Sequence, residues 1–154
     1  MSSPRLEKFL QTHRVAYDTM THPHAFTAQA TAASAHLDAH EMAKTVMVRI
    51  DGRLAMAVVP SDEWLNLSLL REASGAREVA LASESEFKDR FPECEVGAMP
   101  PFGNLYNMPV YADESLGDDA SIAFNAGNHR ELMRMEWHDF ERLVHPHMAP
   151  LSRH

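Results

Sequence analysis

The period of apolar and polar residues changes several times along this chain, and each change marks an element. Leu6, Phe9 and Leu10 recur at helical spacing and Pro4 suits a first turn, which predicts a helix over residues 4–13. Residues 15–20 alternate apolar and polar, the period of a half-buried strand. His22, Pro23 and His24 must be extended or turning, because proline restricts the residue before it. Thr27 suits an N-cap for an alanine-rich helix over 28–37, whose small side chains let a backbone or ligand approach closely. Residues 41–50 are apolar along most of their length and rich in Val and Ile. Residues 53–59 answer them across Asp51-Gly52, a two-residue hairpin signal.

Pro60, Ser61 and Asp62 then turn the chain, and Leu65, Leu67, Leu69 and Leu70 predict a helix over 64–73 ending near Gly75. A short strand is expected at 78–82. Ser83 and Glu86 form a capping-box pattern that opens a helix through Phe91, where Pro92 stops it. Residues 108–113 predict a short strand whose early proline fits an edge or a strand start. Residues 121–126 and 131–135 predict two strands joined by a turn at Gly127 and Asn128, with His129 at its tip. Trp137, Phe140, Leu143 and Val144 predict a closing helix, and residues 145–154 a loose tail. No repeat or linker interrupts this order. The expectation is one α+β domain of mixed strands over 1–154, with its core at about 6–144.

Composition narrows the picture. The chain has 154 residues, 45% hydrophobic and 23% charged, which suits one ordinary globular core. No apolar run reaches the roughly 18 residues a membrane helix needs, and no signal peptide is visible at the N-terminus. The single cysteine, Cys94, excludes an internal disulfide and fits a reducing cytoplasm. A net charge of -8 argues against a broad, non-specific nucleic-acid surface. It leaves room for a small basic mouth that accepts one end of a nucleic acid, for which Arg49, Arg53, Arg71, Arg77, Arg130 and Arg134 are available.

Three features carry candidate chemistry. Lys44 interrupts an apolar strand, and lysine is rarely buried without a partner. Either it lies at a strand end and snorkels, or it points into a pocket and meets an anionic ligand. Residues 96–103 bracket Pro100 and Pro101 between two glycines, a stiff loop that is either a plain connection or a pocket lining made mostly of backbone. In that loop Met99 either faces the space near Lys44 as an adaptable apolar wall or fills a gap in the core. The Gly127–His129 turn is the third. Histidine pairs are split by prolines or a helix end, so no metal site is expected. Cys94 lies between Glu93 and Glu95, which raise a thiol pKa and disfavour a nucleophile. No serine-hydrolase elbow, dinucleotide fingerprint or Walker loop is present.

Four segments, at residues 22–33, 43–46, 97–103 and 124–129, together resemble the YbaK / prolyl-tRNA-synthetase-associated domain family, in the family's order. The resemblance spans about residues 6–144. It implies a mixed, partly barrel-like β-sheet with surrounding helices and a free-standing aminoacyl-tRNA deacylase of the cytoplasm. The implied substrate is tRNA(Pro) carrying alanine, 2-aminobutyrate or cysteine. It places Lys44, Gly127 and His129 at the catalytic centre, the lysine on the terminal nucleotide's phosphate. It places Thr27, Thr45, Gly97 and Met99 around the substrate, with Pro100, Pro101, Phe102 and Asn128. Water attacks with help from the substrate's own hydroxyl, without metal or cofactor. The implied partner is the tRNA acceptor end, beside prolyl-tRNA synthetase or an elongation factor, with no membrane. Two other classes stay open: a module or regulator that binds the aminoacyl end without hydrolysing it, and an unrelated small-molecule hydrolase on the same fold.

Overall fold

A computed structural model describes residues 3–21 and 38–153. Thr27 and the alanine-rich helix expected at 28–37 lie outside the described residues. Helix α1 (Pro4–Thr12) starts at Ser3, whose hydroxyl accepts the Leu6 N–H at 3.3 Å, and it buries Leu6 and Leu10. Strand β1 (Tyr17–Thr21) follows. Strands β2 (Ala43–Ile50) and β3 (Arg53–Pro60) form the expected hairpin, Ile50 opposite Arg53. Asp51 and Gly52 turn it at φ 49° and 82°, the left-handed pair that a two-residue turn requires.

The helix expected from residue 64 begins later. Trp64–Leu65 is a short strand, β4, and α2 (Leu67–Ser74) starts after it. The cause is Asn66, whose side-chain oxygen accepts the Leu69 N–H at 2.9 Å and fixes the N-cap there. Gly75 ends α2 at φ 68°. Strand β5 (Val79–Leu81) and helix α3 (Glu84–Phe87) come next, the latter inside its capping box and extended by a 3₁₀ turn over Lys88–Arg90. Then come β6 (Val110–Asp113), β7 (Ser121–Asn125), β8 (Glu131–Glu136) and α4 (Trp137–Val144).

Residues 145–153 do not form the loose tail expected of them. Strand β9 (His147–Ala149) runs parallel to β6, and β10 (Ser152–Arg153) pairs with β4. The tether is Asp113, whose Oδ1 accepts the N–H groups of Leu151 at 2.8 Å and Ser152 at 3.1 Å, and Leu151 is fully buried.

The result is one α+β domain. Its main sheet is mixed, in the order β5-β2-β3-β6-β9, with β6 parallel to both neighbours. Strand β6 is therefore interior. Pro109 costs no ladder bond, because it precedes Val110, the first paired residue, where its missing N–H is not called on, and its carbonyl still accepts the Met56 N–H at 3.0 Å. A second, antiparallel sheet has the order β1-β8-β7. The two meet at a bridge between Met42 and Ala123 without closing into a barrel. Among the described residues no helix is long and apolar enough to cross a membrane.

The β2–β3 hairpin separates two apolar clusters. Ala43, Met47, Met56 and Val58 face the larger one, where Phe102 stands edge-on to Phe124 and Phe140, both at 5.4 Å. Such aromatic pairs add about 0.5–1.5 kcal/mol each beyond their buried area. Val48, Ala55, Ala57 and Val59 face the other, with Leu70 and Leu151.

Candidate functional site

The stiff Gly/Pro loop and the β7–β8 turn, far apart in sequence, are pinned together. The Glu95 N–H donates to the Gly127 carbonyl at 2.7 Å, and the Gly127 N–H to the Ala98 carbonyl at 2.9 Å. The Glu95 carboxylate accepts the His129 N–H at 2.8 Å. His129 Nε2 lies 2.8 Å from the Val96 carbonyl, and since a carbonyl only accepts, Nε2 carries the proton.

Both glycines are required by this geometry. Gly97 sits at φ 85°, and a Cβ there would stand 3.4 Å from His129 Cε1. Gly127 sits at φ 107°, and a Cβ would come within 3.2 Å of Ser3, whose own N–H donates to the Ala126 carbonyl at 2.7 Å. The turn is also braced internally, since the Asn128 side-chain oxygen accepts the N–H groups of Arg130 and Glu131, both at 2.8 Å.

The structure thus brings Gly97, Gly127, Asn128 and His129 together. His129 is not presented at the tip of the turn: it is buried, 6% exposed. Met99, at 4% exposed, packs in the large apolar cluster, with its Sδ 3.3 Å from the Gly97 N–H. Pro100 and Pro101 are buried beside it, and Phe102 is fully buried. These four residues support the exposed edge at Val96 and Gly97 from behind.

Lys44 leaves β2 on the face turned away from the large apolar cluster. It is the second residue of β2, so it shares a face with Val46 and Val48, while Thr45 shares the opposite face with Ala43 and Met47. The half-buried Lys44 places Nζ 4.8 Å from the ring centroid of Trp64, which is itself 74% exposed. Burial lowers the lysine pKa from its ordinary value, and the Asp62 carboxylate works against that shift.

Two of the candidate arginines are held by carboxylates. Arg49 pairs with Glu86 at 2.9 Å and Arg134 with Glu41. Arg53 and Arg90 line a cleft of about 610 Å³ at the far end of the β2–β3 hairpin. Cys94 is unsuited to nucleophilic work: burial pushes its thiol up to about 11, the Tyr106 hydrogen bond opposes this, and Glu93 adds to it.

Two residues escape sequence reasoning. Trp64 counted there as one more helix position, and only its place before an asparagine cap could have marked it out. Asn125, at the end of β7, is 7% exposed, and its side-chain oxygen has no hydrogen-bond partner among the described residues. A polar residue in the apolar run before Gly127 was its visible signal.

With that geometry in hand, comparison with known proteins defines the class. Residues 22–143 match the aminoacyl-tRNA editing domain, and the chain belongs to that family. The proline–tRNA ligases of Bacillus cereus (strain AH187) and Bacillus mycoides (strain KBAB4) are each 28% identical to it over 81 residues, 53% of this chain. The match spans only 14% of each ligase. Among solved structures, a protein described as a trans-editing enzyme for prolyl tRNA synthetase superposes with a TM-score of 0.84 at 20% identity, covering 100% of both chains. A Marinobacter aquaeolei VT8 protein described as a signal transduction protein superposes at 0.77 and 14% identity, over 99% of this chain and 31% of its own. At these identities the two structures establish the fold.

Proposed function

We propose that this protein is an aminoacyl-tRNA deacylase acting in trans, and that it hydrolyses the ester of tRNA(Pro) mischarged with a small amino acid such as alanine or 2-aminobutyrate. The observation that carries the reading is the pinning of the Gly97 loop onto the Gly127–His129 turn in a chain of the editing family. An aminoacyl ester is already activated, so a rigid wall that fixes the reacting end and a water can supply most of the acceleration.

In this reading Lys44 meets the phosphate of the terminal nucleotide as a point charge. Gly127 and His129 hold the wall in place, His129 through Val96 and Glu95 rather than as a proton carrier. Gly97 and Asn128 border the aminoacyl end, with Thr27 completing the set, while Thr45, on the opposite face of β2 from Lys44, has no contact with the phosphate that Lys44 meets. Met99, Pro100, Pro101 and Phe102 fix the loop from the core. Selection by size is modest, about 1–3 kcal/mol per methylene, so cognate prolyl ester would be spared by crowding rather than by chemistry.

The test is a deacylation assay on tRNA(Pro) charged with alanine, 2-aminobutyrate, cysteine and proline. Rapid loss of the small esters with proline retained is the expected result. The commitment of His129 Nε2 to a backbone carbonyl favours a second reading, a module that binds the aminoacyl end without hydrolysing it. Saturable binding of charged tRNA with no hydrolysis of any ester would select that reading.

A further inference from the structure

Trp64 is the most exposed large apolar side chain among the described residues, at 74%. A tryptophan held in water by a two-residue strand has no packing reason to be there, since Leu65, beside it, already contacts the α2 cluster. Two cations stand beside it, and the Asp62 carboxylate, which acts on Lys44, and Glu63, which accepts the Ser152 hydroxyl at 2.6 Å, lie next to them. Lys44 Nζ lies over one face of the ring at 4.8 Å. Arg153 is its direct partner in the β4–β10 pair, so both side chains leave the same face of that ribbon. With one ring face under an ammonium and three quarters of the side chain in water, the other face is open.

An open indole with Lys44 and Arg153 within reach suits a single-stranded nucleotide. The base gains a π-face to stack on, and its phosphates gain cations. A purely apolar partner would gain nothing from Lys44 and Arg153. We propose that Trp64 is the stacking platform for the terminal unpaired base of the tRNA acceptor end, with Lys44 and Arg153 facing the adjoining phosphates. This rests on the reading of the protein as one that takes a charged tRNA end, and it adds the residue that holds the base. Trp64 is a binding residue, so its loss acts on substrate affinity.

The test uses intrinsic fluorescence and steady-state kinetics on the full chain. The protein has two tryptophans, and Trp137 is buried, so the long-wavelength emission belongs to Trp64. The trinucleotide CCA should quench that emission saturably, ribose 5-phosphate should not, and Trp64→Phe should abolish the signal while leaving Trp137 emission intact. In deacylation, Trp64→Ala should raise KM about tenfold with kcat little changed, the worth of one stacked base. Trp64→Phe should keep KM within about twofold, because a phenyl ring still stacks.

Quenching by ribose 5-phosphate equal to that by CCA would overturn the platform, because the base would then be irrelevant. Absent quenching together with an unmoved KM in Trp64→Ala would overturn it while leaving the deacylase reading intact, and would leave the exposed ring to a protein partner. Base-dependent quenching in a protein that hydrolyses no ester would sustain the platform and remove the deacylase reading.

Discussion

His129 donates its Nε2 proton to the carbonyl of Val96 at 2.8 Å, the side-chain contribution to the bonds that tie the β7–β8 turn to the Gly/Pro loop. The histidine therefore works as a latch inside the wall of the candidate site. His129→Ala should lower both deacylation and stability, the latter by about 1–3 kcal/mol, because the Val96 carbonyl loses its donor and the buried ring leaves a void. His129→Gln, which can still donate to that carbonyl, should recover part of both. Urea unfolding beside the kcat of each variant checks this. A lost rate with unchanged unfolding would mean that the ring acts on the substrate directly.

Lys44 offers a direct electrostatic test. Burial lowers its pKa from 10.5, while Asp62 holds it up. After reductive dimethylation with ¹³C-formaldehyde, its NMR signal should titrate below 10.5. Asp62→Asn should move it lower still, and a bound nucleotide phosphate should move it up. A Lys44 signal indifferent to Asp62→Asn would show that the two charges do not interact.

His40 fastens the segment before β2 to the stretch between β6 and β7. Its Nδ1 lies 2.7 Å from Asp119 and its Nε2 3.3 Å from the Ser115 hydroxyl oxygen. The Ser115 hydroxyl itself donates to Asp113, so its oxygen accepts from His40 and both ring nitrogens carry protons. Burial opposes this charge, but the Asp119 hydrogen bond and the carboxylates of Asp119, Asp62 and Glu63 outweigh it and raise the pKa above 6.5. A raised folded-state pKa means that the stabilisation is fully present below 6.5 and lost as pH rises through the folded value. His40→Ala should thus cost about 1 kcal/mol at pH 6 and less at pH 9, read by denaturant unfolding at both. An equal loss at the two pH values would mean that the histidine is held neutral.

Asn125 buries a side-chain oxygen that satisfies nothing among the described residues. A buried oxygen left unsatisfied carries its full desolvation cost, which an apolar side chain of similar shape removes. Asn125→Leu should keep or raise the unfolding free energy while cutting kcat/KM at least about tenfold, the pattern of a polar group kept for a ligand. A destabilised variant with normal activity would make Asn125 structural.

Local chemistry made much of this fold legible. Asp51-Gly52 specified its hairpin because both residues take the left-handed backbone that the turn demands. Ser83 and Glu86 specified a helix start, although the α-helical part is a single turn that tightens to 3₁₀ before Pro92. What failed was long-range. The last residues lack a strand pattern, and only the Asp113 carboxylate, distant in sequence, turns them into β9 and β10. The site divides the same way. Gly97 and Gly127 were visible as glycines beside prolines and turns, whereas the burial of His129 depends on a carbonyl 33 positions away. Lys44 stood out as a charge in an apolar strand, but which face it took depended on register, and register set it beside Trp64.

The central claim, ester hydrolysis on a mischarged tRNA end, is most directly tested by the rate of alanine release from Ala-tRNA(Pro) with wild type and Lys44→Ala. The expected result is rapid release by wild type, retention of Pro-tRNA(Pro), and a loss of about 100-fold or more in Lys44→Ala with unfolding unchanged, as befits a lost charge contact that positions the reacting end. Release no faster than in buffer, or equal rates for the two proteins, would contradict it.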